Sequence, residues 1–190
     1  FIIPEGITAI SDGLFKGCNS LSEVIIPDTV TSVGEAAFDY CSSLVSLELP
    51  DGLTILGSKA FAHCSALEGV DLPSGIKEIS SLLFYECSAL KSIKIPTGVK
   101  LIGQWAFGAC VSLENVTIPE TVIEIKYRAF SGSTSLRNII LPESLKTLGN
   151  DIFRECTGLE EIVIPEGVNL DSDTNFGLFH DCFGLKKAKL

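Results

Sequence analysis

Apolar and polar positions recur along this chain on two scales at once, a local step of two or three residues and a long step of 23. In one unit, Leu21, Val24 and Ile26 are apolar, and the Val24–Ile26 step is that of a β-strand. The same pair returns as Leu47/Leu49, Val70/Leu72, Ile93/Ile95, Val116/Ile118, Ile139/Leu141 and Ile162/Ile164. Phe1/Ile3 and Ala188/Leu190 read as incomplete copies at the two ends. A second short apolar pair follows each strand, such as Val30/Val33 or Val99/Ile102. From there through Ala37-Phe38 to Cys41 the pattern suits a short helical or 3₁₀ turn with Ala, Phe and Cys on one side.

Proline marks the long step. The eight prolines, Pro4 to Pro165, are each 23 residues apart. Proline gives no amide hydrogen to a ladder, so each one ends its strand. In Pro4-Glu5-Gly6, Pro50-Asp51-Gly52 and Pro165-Glu166-Gly167 the proline suits the second and the glycine the fourth position of a turn. Phenylalanine keeps the same step at Phe15, Phe38, Phe61, Phe84, Phe107, Phe130 and Phe153. Cysteine follows at Cys18, Cys41, Cys64, Cys87, Cys110 and Cys156, with Ser133 in the one gap, and leucine follows three residues later. A three-residue insertion precedes the last Phe179, Cys182 and Leu185.

No single unit can bury its own apolar edge, so each must lie against its equivalent one coil away. These residues therefore predict a stacked solenoid of about eight 23-residue repeats over 1–190, in a single body with no residues left for a second domain. At the usual strand spacing the stack is roughly 40 Å long.

The strand-ending proline and the A-F-x-x-C block resemble the BspA-like (treponemal-type) leucine-rich repeats, and the resemblance covers the whole chain. It implies an α/β repeat fold: a right-handed leucine-rich repeat solenoid with a parallel concave β-sheet and short helical or 3₁₀ turns on the convex side. It further implies an extracellular or cell-surface protein of a bacterium or protist, with relatives that adhere to host matrix or plasma proteins. It brings no catalytic motif and no cofactor. The chain itself reads as an excerpt of a longer surface protein, with uncapped ends open to end-to-end self-association.

Charge changes the picture next. A formal net charge of −10 disfavours nucleic acid and anionic membranes as partners. No apolar run approaches the ~20 residues of a membrane span, so no insertion is expected within this chain. The residue after proline is acidic in six units, at Glu5, Asp28, Asp51, Glu120, Glu143 and Glu166, which places a row of carboxylates along one edge.

Candidate chemistry is sparse. The seven cysteines are equivalent members of a stack, odd in number and without zinc spacing, and read as buried structural thiols. His180-Asp181-Cys182 has the residue types of a nucleophile and its helpers, but adjacent residues rarely converge on one atom. Asp171 to Gly177 has oxygen-bearing side chains at alternate positions, as calcium loops do. Gly177 is one place late for an EF-hand and Cys182 stands where its glutamate belongs, so the segment reads as a polar surface loop. Asn115-Val116-Thr117 fits a glycosylation sequon inside a strand, and Lys186, Lys187 and Lys189 read as a solvated end strand.

A partner is therefore sought at the positions that packing leaves free. In solenoids of this kind the residues between inward-facing strand positions face the ligand. Here that row and its flank supply Ile25, Glu48, Glu68, Asp71, Lys94, Thr117, Asn138, Ile140 and Val163, with apolar stretches on either side of an acidic centre. The expected activity is binding or adhesion to a protein or glycan, without catalysis, metal or cofactor. The alternative is a spacer or stalk within a larger surface protein. Trp105, Tyr40, Tyr85 and Tyr127 fall outside the strands, which leaves a convex or lateral site open.

Overall fold

The computed structural model describes residues 1–169 and 177–189; most of the Asp171–Gly177 loop lies outside them. The chain coils so that every unit lies against the unit before it. All strand pairing is parallel, mostly between residues 23 apart. Across the insertion the offset becomes 26, from Glu161–Val163 to Lys187–Lys189. This is the parallel β-solenoid of a leucine-rich repeat.

Each coil contributes to two strand rows. The first lies before the proline and contains Ser46–Leu47, Gly69–Val70, Ser92–Lys94, Asn115–Thr117, Glu161–Val163 and Lys187–Lys189. Its ladders are short, and the second of these strands has none to the third. The second row follows the turn, at the short apolar pair. It is more continuous, with three strands from Ala9–Ile10 to Ile55–Leu56 and four from Glu78–Ile79 to Thr147–Leu148. Its residues alternate outward and inward, as Glu78 and Ile79 do, which gives each two-residue strand one buried anchor.

Among the described residues none is helical, and the segment around each phenylalanine differs from the helical turn expected there. The residues two before and two after the phenylalanine are left-handed. Ala36 and Tyr40 flank Phe38 at φ 51° and 63°, and Trp105 and Ala109 flank Phe107 at 55° each. A helix needs consecutive residues in the right-handed region, so this alternation forbids it. Three-residue bonds form singly instead, as from Asp39 N to Ala36 O and Cys41 N to Phe38 O. The amides that point the other way donate to the next coil: Ala36 N to Ser58 O, Phe38 N to Ala60 O and Tyr40 N to Ala62 O. These cross-coil bonds offset the strain of left-handed non-glycine residues, which is about 1–2 kcal/mol each.

The core is one continuous column. Phenylalanine rings stack face to face from Phe15 to Phe179, with neighbouring centres 5.1 to 6.0 Å apart. Phe38 through Phe153 are fully buried, and so are the leucines from Leu44 to Leu159. The cysteines have a defined task. Each thiol from the second coil onward donates to the carbonyl of a phenylalanine one coil back: Cys41 to Phe15 O at 3.2 Å, Cys87 to Phe61 O and Cys110 to Phe84 O at 3.1 Å. Ser133, in the gap of the series, makes the same bond to Phe107 O at 2.9 Å. The column thus selects a small side chain that can donate one hydrogen bond. Burial pushes the Cys41 thiol up to about 11 and the Cys110 thiol to about 12, keeping both protonated donors.

Candidate functional site

Two surfaces are left after packing. The first is the outer face of the first strand row. Proline ends each strand, the inward residues Val24, Leu47, Ile93, Val116, Ile139 and Ile162 are buried, and the residues between them turn outward. All nine positions expected to meet a partner are exposed: Ile25, Glu48, Glu68, Asp71, Lys94, Thr117, Asn138, Ile140 and Val163.

They do not form one site. Glu48, Asp71 and Lys94 line a groove of ≈ 580 Å³ with Ser46, Gly69 and Ser92. It spans the break between Gly69–Val70 and Ser92–Lys94, where Val70 is only half-buried while its equivalents Leu47 and Ile93 are buried. Ile25 borders a smaller hollow with Glu23 and Glu48. Asn138, Ile140 and Val163 line a more apolar one of ≈ 260 Å³, with Ile140 83% exposed. Thr117 belongs to the strand between these regions.

The charges of this face differ in engagement. Glu68 is bound by Lys91 at 2.7 Å, and that hydrogen bond holds its carboxyl below the ordinary range. Among the described residues Glu48 and Asp71 form no ion pair. Toward the last coil, Lys186 and Lys187 pair with Glu160 and Glu161 at 2.9 and 2.8 Å, as a solvated end strand should. The acidic residues after proline are all exposed along their edge.

The second surface lies on the turn segments, outside both strand rows. There Tyr40, His63, Tyr85, Trp105 and Tyr127 form a continuous aromatic row, closed by the Arg128 guanidinium 4.9 Å from the Tyr127 ring centre. Asp39, buried at 3% exposure, holds His63 Nδ1 at 2.8 Å and Lys16 at 3.2 Å. Chain spacing hides this row, because only Tyr40 and His63 keep the 23-residue step and the later members step by 22, 20 and 22 residues out of that column. Asp39 was equally invisible, since nothing in the spacing sets it apart from the exposed Asp12 and Glu35 of the turn segments.

His180-Asp181-Cys182 does not assemble a nucleophile. His180 Nδ1 contacts Asp181 at 2.7 Å, but the Cys182 thiol donates to Phe153 O at 2.9 Å and burial raises it to about 11. A nucleophile requires the opposite shift. Among the described residues no three His, Cys, Asp or Glu side chains are grouped to hold a metal, and no helix is long and apolar enough to cross a membrane.

Six copies of the BspA type leucine-rich repeat region match residues 1–107 and 77–190. The chain belongs to the BspA-type leucine-rich repeat family. Solved structures agree. A leucine-rich repeat protein from Bacteroides ovatus is 36% identical with a TM-score of 0.87, over 98% of this chain and 47% of that one. The T. pallidum leucine-rich repeat protein is 32% identical with a TM-score of 0.77, over 83% of this chain and 76% of its own. A leucine-rich cell surface protein from Faecalibacterium prausnitzii is 29% identical with a TM-score of 0.65, over 99% and 58%. This BspA-type solenoid therefore spans about half the length of the Bacteroides structure. A search of curated proteins finds no match.

Proposed function

We propose that this BspA-type solenoid is a cell-surface or secreted binding and adhesion module that takes a protein or glycan partner on its first strand face. The observation that carries the reading is the groove lined by Glu48, Asp71 and Lys94. Its two carboxylates are exposed and unengaged by cations among the described residues, at positions where neighbouring coils differ freely. Such a groove suits a partner that presents a basic or hydroxyl-bearing group between apolar flanks, and opposed charge would speed the encounter. The surface location rests on the family and on the Faecalibacterium relative described as a cell surface protein.

The test compares the wild type with Glu48→Lys/Asp71→Lys against a panel of purified matrix and plasma proteins and a glycan array. The double substitution should weaken the interaction at least tenfold and leave the unfolding midpoint in place. Binding that survives it would remove this face as the site. A stalk would bind nothing in either form.

A further inference from the structure

The aromatic row has the makings of a second site. Tyr40 and His63 stack in parallel, 3.9 Å between centres and 5° between planes. From there the rings meet edge to face: His63 with Tyr85 at 83°, Tyr85 with Trp105 at 89° and Trp105 with Tyr127 at 86°. Each ring belongs to the next coil, and from Tyr85 onward its position in the unit shifts, so the row crosses the turn face obliquely. The outermost ring, Tyr40, remains 49% exposed.

The row is held in place from both ends and from below. Asp39 fixes the His63 ring, and Asp151 pins Arg128 through two hydrogen bonds of 3.0 and 2.9 Å. Beneath the middle lies Gly108, where a Cβ would stand 2.4 Å from Trp105 Cε3 and 3.2 Å from Tyr85 Cδ2. A bare backbone at that point is what lets the two rings meet. Rings so fixed lose little freedom when a ligand covers them.

A groove of ≈ 430 Å³ runs beside the row, bordered by Tyr40, His63 and Glu86 and by Ser42, Ser65 and Ser88. The hydroxyl protons of the last two serines are engaged: Ser65 donates to Ser42 O at 3.4 Å and Ser88 to Ser65 O at 3.2 Å. These hydroxyls therefore offer a ligand lone pairs, as the Glu86 carboxylate does. The groove is mainly apolar, bordered by the Tyr40 and His63 rings, Ala109 and Val111, with a few acceptors among them. It calls for a ligand that carries apolar C–H faces edged by hydroxyl or amino donors.

We propose that the Tyr40–Tyr127 aromatic row and its serine-lined groove form a binding site for a neutral or amino-bearing oligosaccharide chain. Sugar rings carry a hydroxyl on most carbons and a C–H face that packs on aromatic rings. Polyanionic glycans are repelled by Glu86 and by the net charge of −10. This site is separate from the strand face, and either can fail without the other.

Trp105 is the one tryptophan of the chain and meets Tyr85 within the row, so its emission reports a ligand laid along the rings. The probes are cellohexaose, xylohexaose, mannohexaose, chitohexaose and the deacetylated chitosan hexamer, with a heparin hexasaccharide as the anionic control. At least one of the five should change Trp105 emission saturably at millimolar concentration or below, and heparin should not. Tyr40→Ala and Tyr85→Ala should each weaken that binding about tenfold, while Glu48→Lys/Asp71→Lys should leave it unchanged. In the wild type, the amide resonances of Ser65, Glu86 and Ser88 should shift during the titration, a readout that needs no substitution. The proposal is overturned if none of the five sugars alters emission or these resonances, if heparin binds as tightly, or if binding survives both tyrosine substitutions in folded protein.

Discussion

The phenylalanine–cysteine column and the first strand row obey the same 23-residue period, yet one repeats its side chains and the other does not. In the column every phenylalanine stacks on its own copy, and from the second coil onward every cysteine, with Ser133, donates to the carbonyl one coil back. A change there alters two interfaces at once. In the strand row the buried members are equally uniform, while the outward ones run Ile25, Glu48, Asp71, Lys94, Thr117, Ile140 and Val163. The period binds a position only where its side chain must meet a copy of itself. Recognition has room at the others.

The sharpest way to break this contrast is to remove one ring from the column. Phe107→Ala, between Phe84 and Phe130 at 5.6 and 5.3 Å, should destabilise the fold by about 3–5 kcal/mol in urea unfolding. A loss below about 1 kcal/mol would mean that the coils close over the gap.

Alkaline pH tests the column as a whole. Its thiols ordinarily release their protons near 9.0, and burial raises Cys41 and Cys182 to about 11 and Cys110 to about 12. Cys64, Cys87 and Cys156 are driven up as well, chiefly by burial. A raised pKa means that the folded chain keeps protons the unfolded chain gives up. The stabilisation is then complete below pH 9.0 and lost as pH rises through 11 to 12. The unfolding midpoint, measured under reducing conditions, should be level up to about pH 9.0 and fall from there through pH 11 to 12, where the unfolded thiols are ionised and the buried ones are not. A level midpoint through pH 11 would contradict the buried-donor role.

A smaller effect separates size from hydrogen bonding. Cys87→Ala leaves Phe61 O with the Cys64 amide as its one donor and should cost about 1 kcal/mol. Cys87→Ser should cost less than Cys87→Ala, because Ser133 already makes this bond in another coil. The reverse order would show that sulfur volume, and not the donor, is what the column keeps.

The least disturbance is expected on the strand face. Glu48→Lys with Asp71→Lys should move stability by no more than about 0.5 kcal/mol, since both carboxylates are exposed. A large loss would show that these residues support the fold and would weaken the case for a binding face.

The columns were legible in the sequence because proline, phenylalanine, cysteine and leucine each report the same spacing. The outward strand positions were legible too, from alternation alone. That Glu48, Asp71 and Lys94 share a groove was not, since it depends on the break after Gly69–Val70. The segment around each phenylalanine has the apolar spacing of a helical or 3₁₀ turn, yet none of the described residues is helical. Its left-handed residues, among them Ala36, Lys59, Leu82 and Trp105, carry no common side chain that would announce them.

By itself, then, the sequence determined the solenoid, its register and the residues that must be inside, because burial of like on like repeats at the period of the coil. Only the tertiary structure decided which surface residues become neighbours. Tyr40, Tyr85 and Trp105 meet across coils at unequal chain spacings, through left-handed turns and over a bare Gly108. Such contacts follow from where the backbone places each coil, and one-dimensional periodicity holds no record of them.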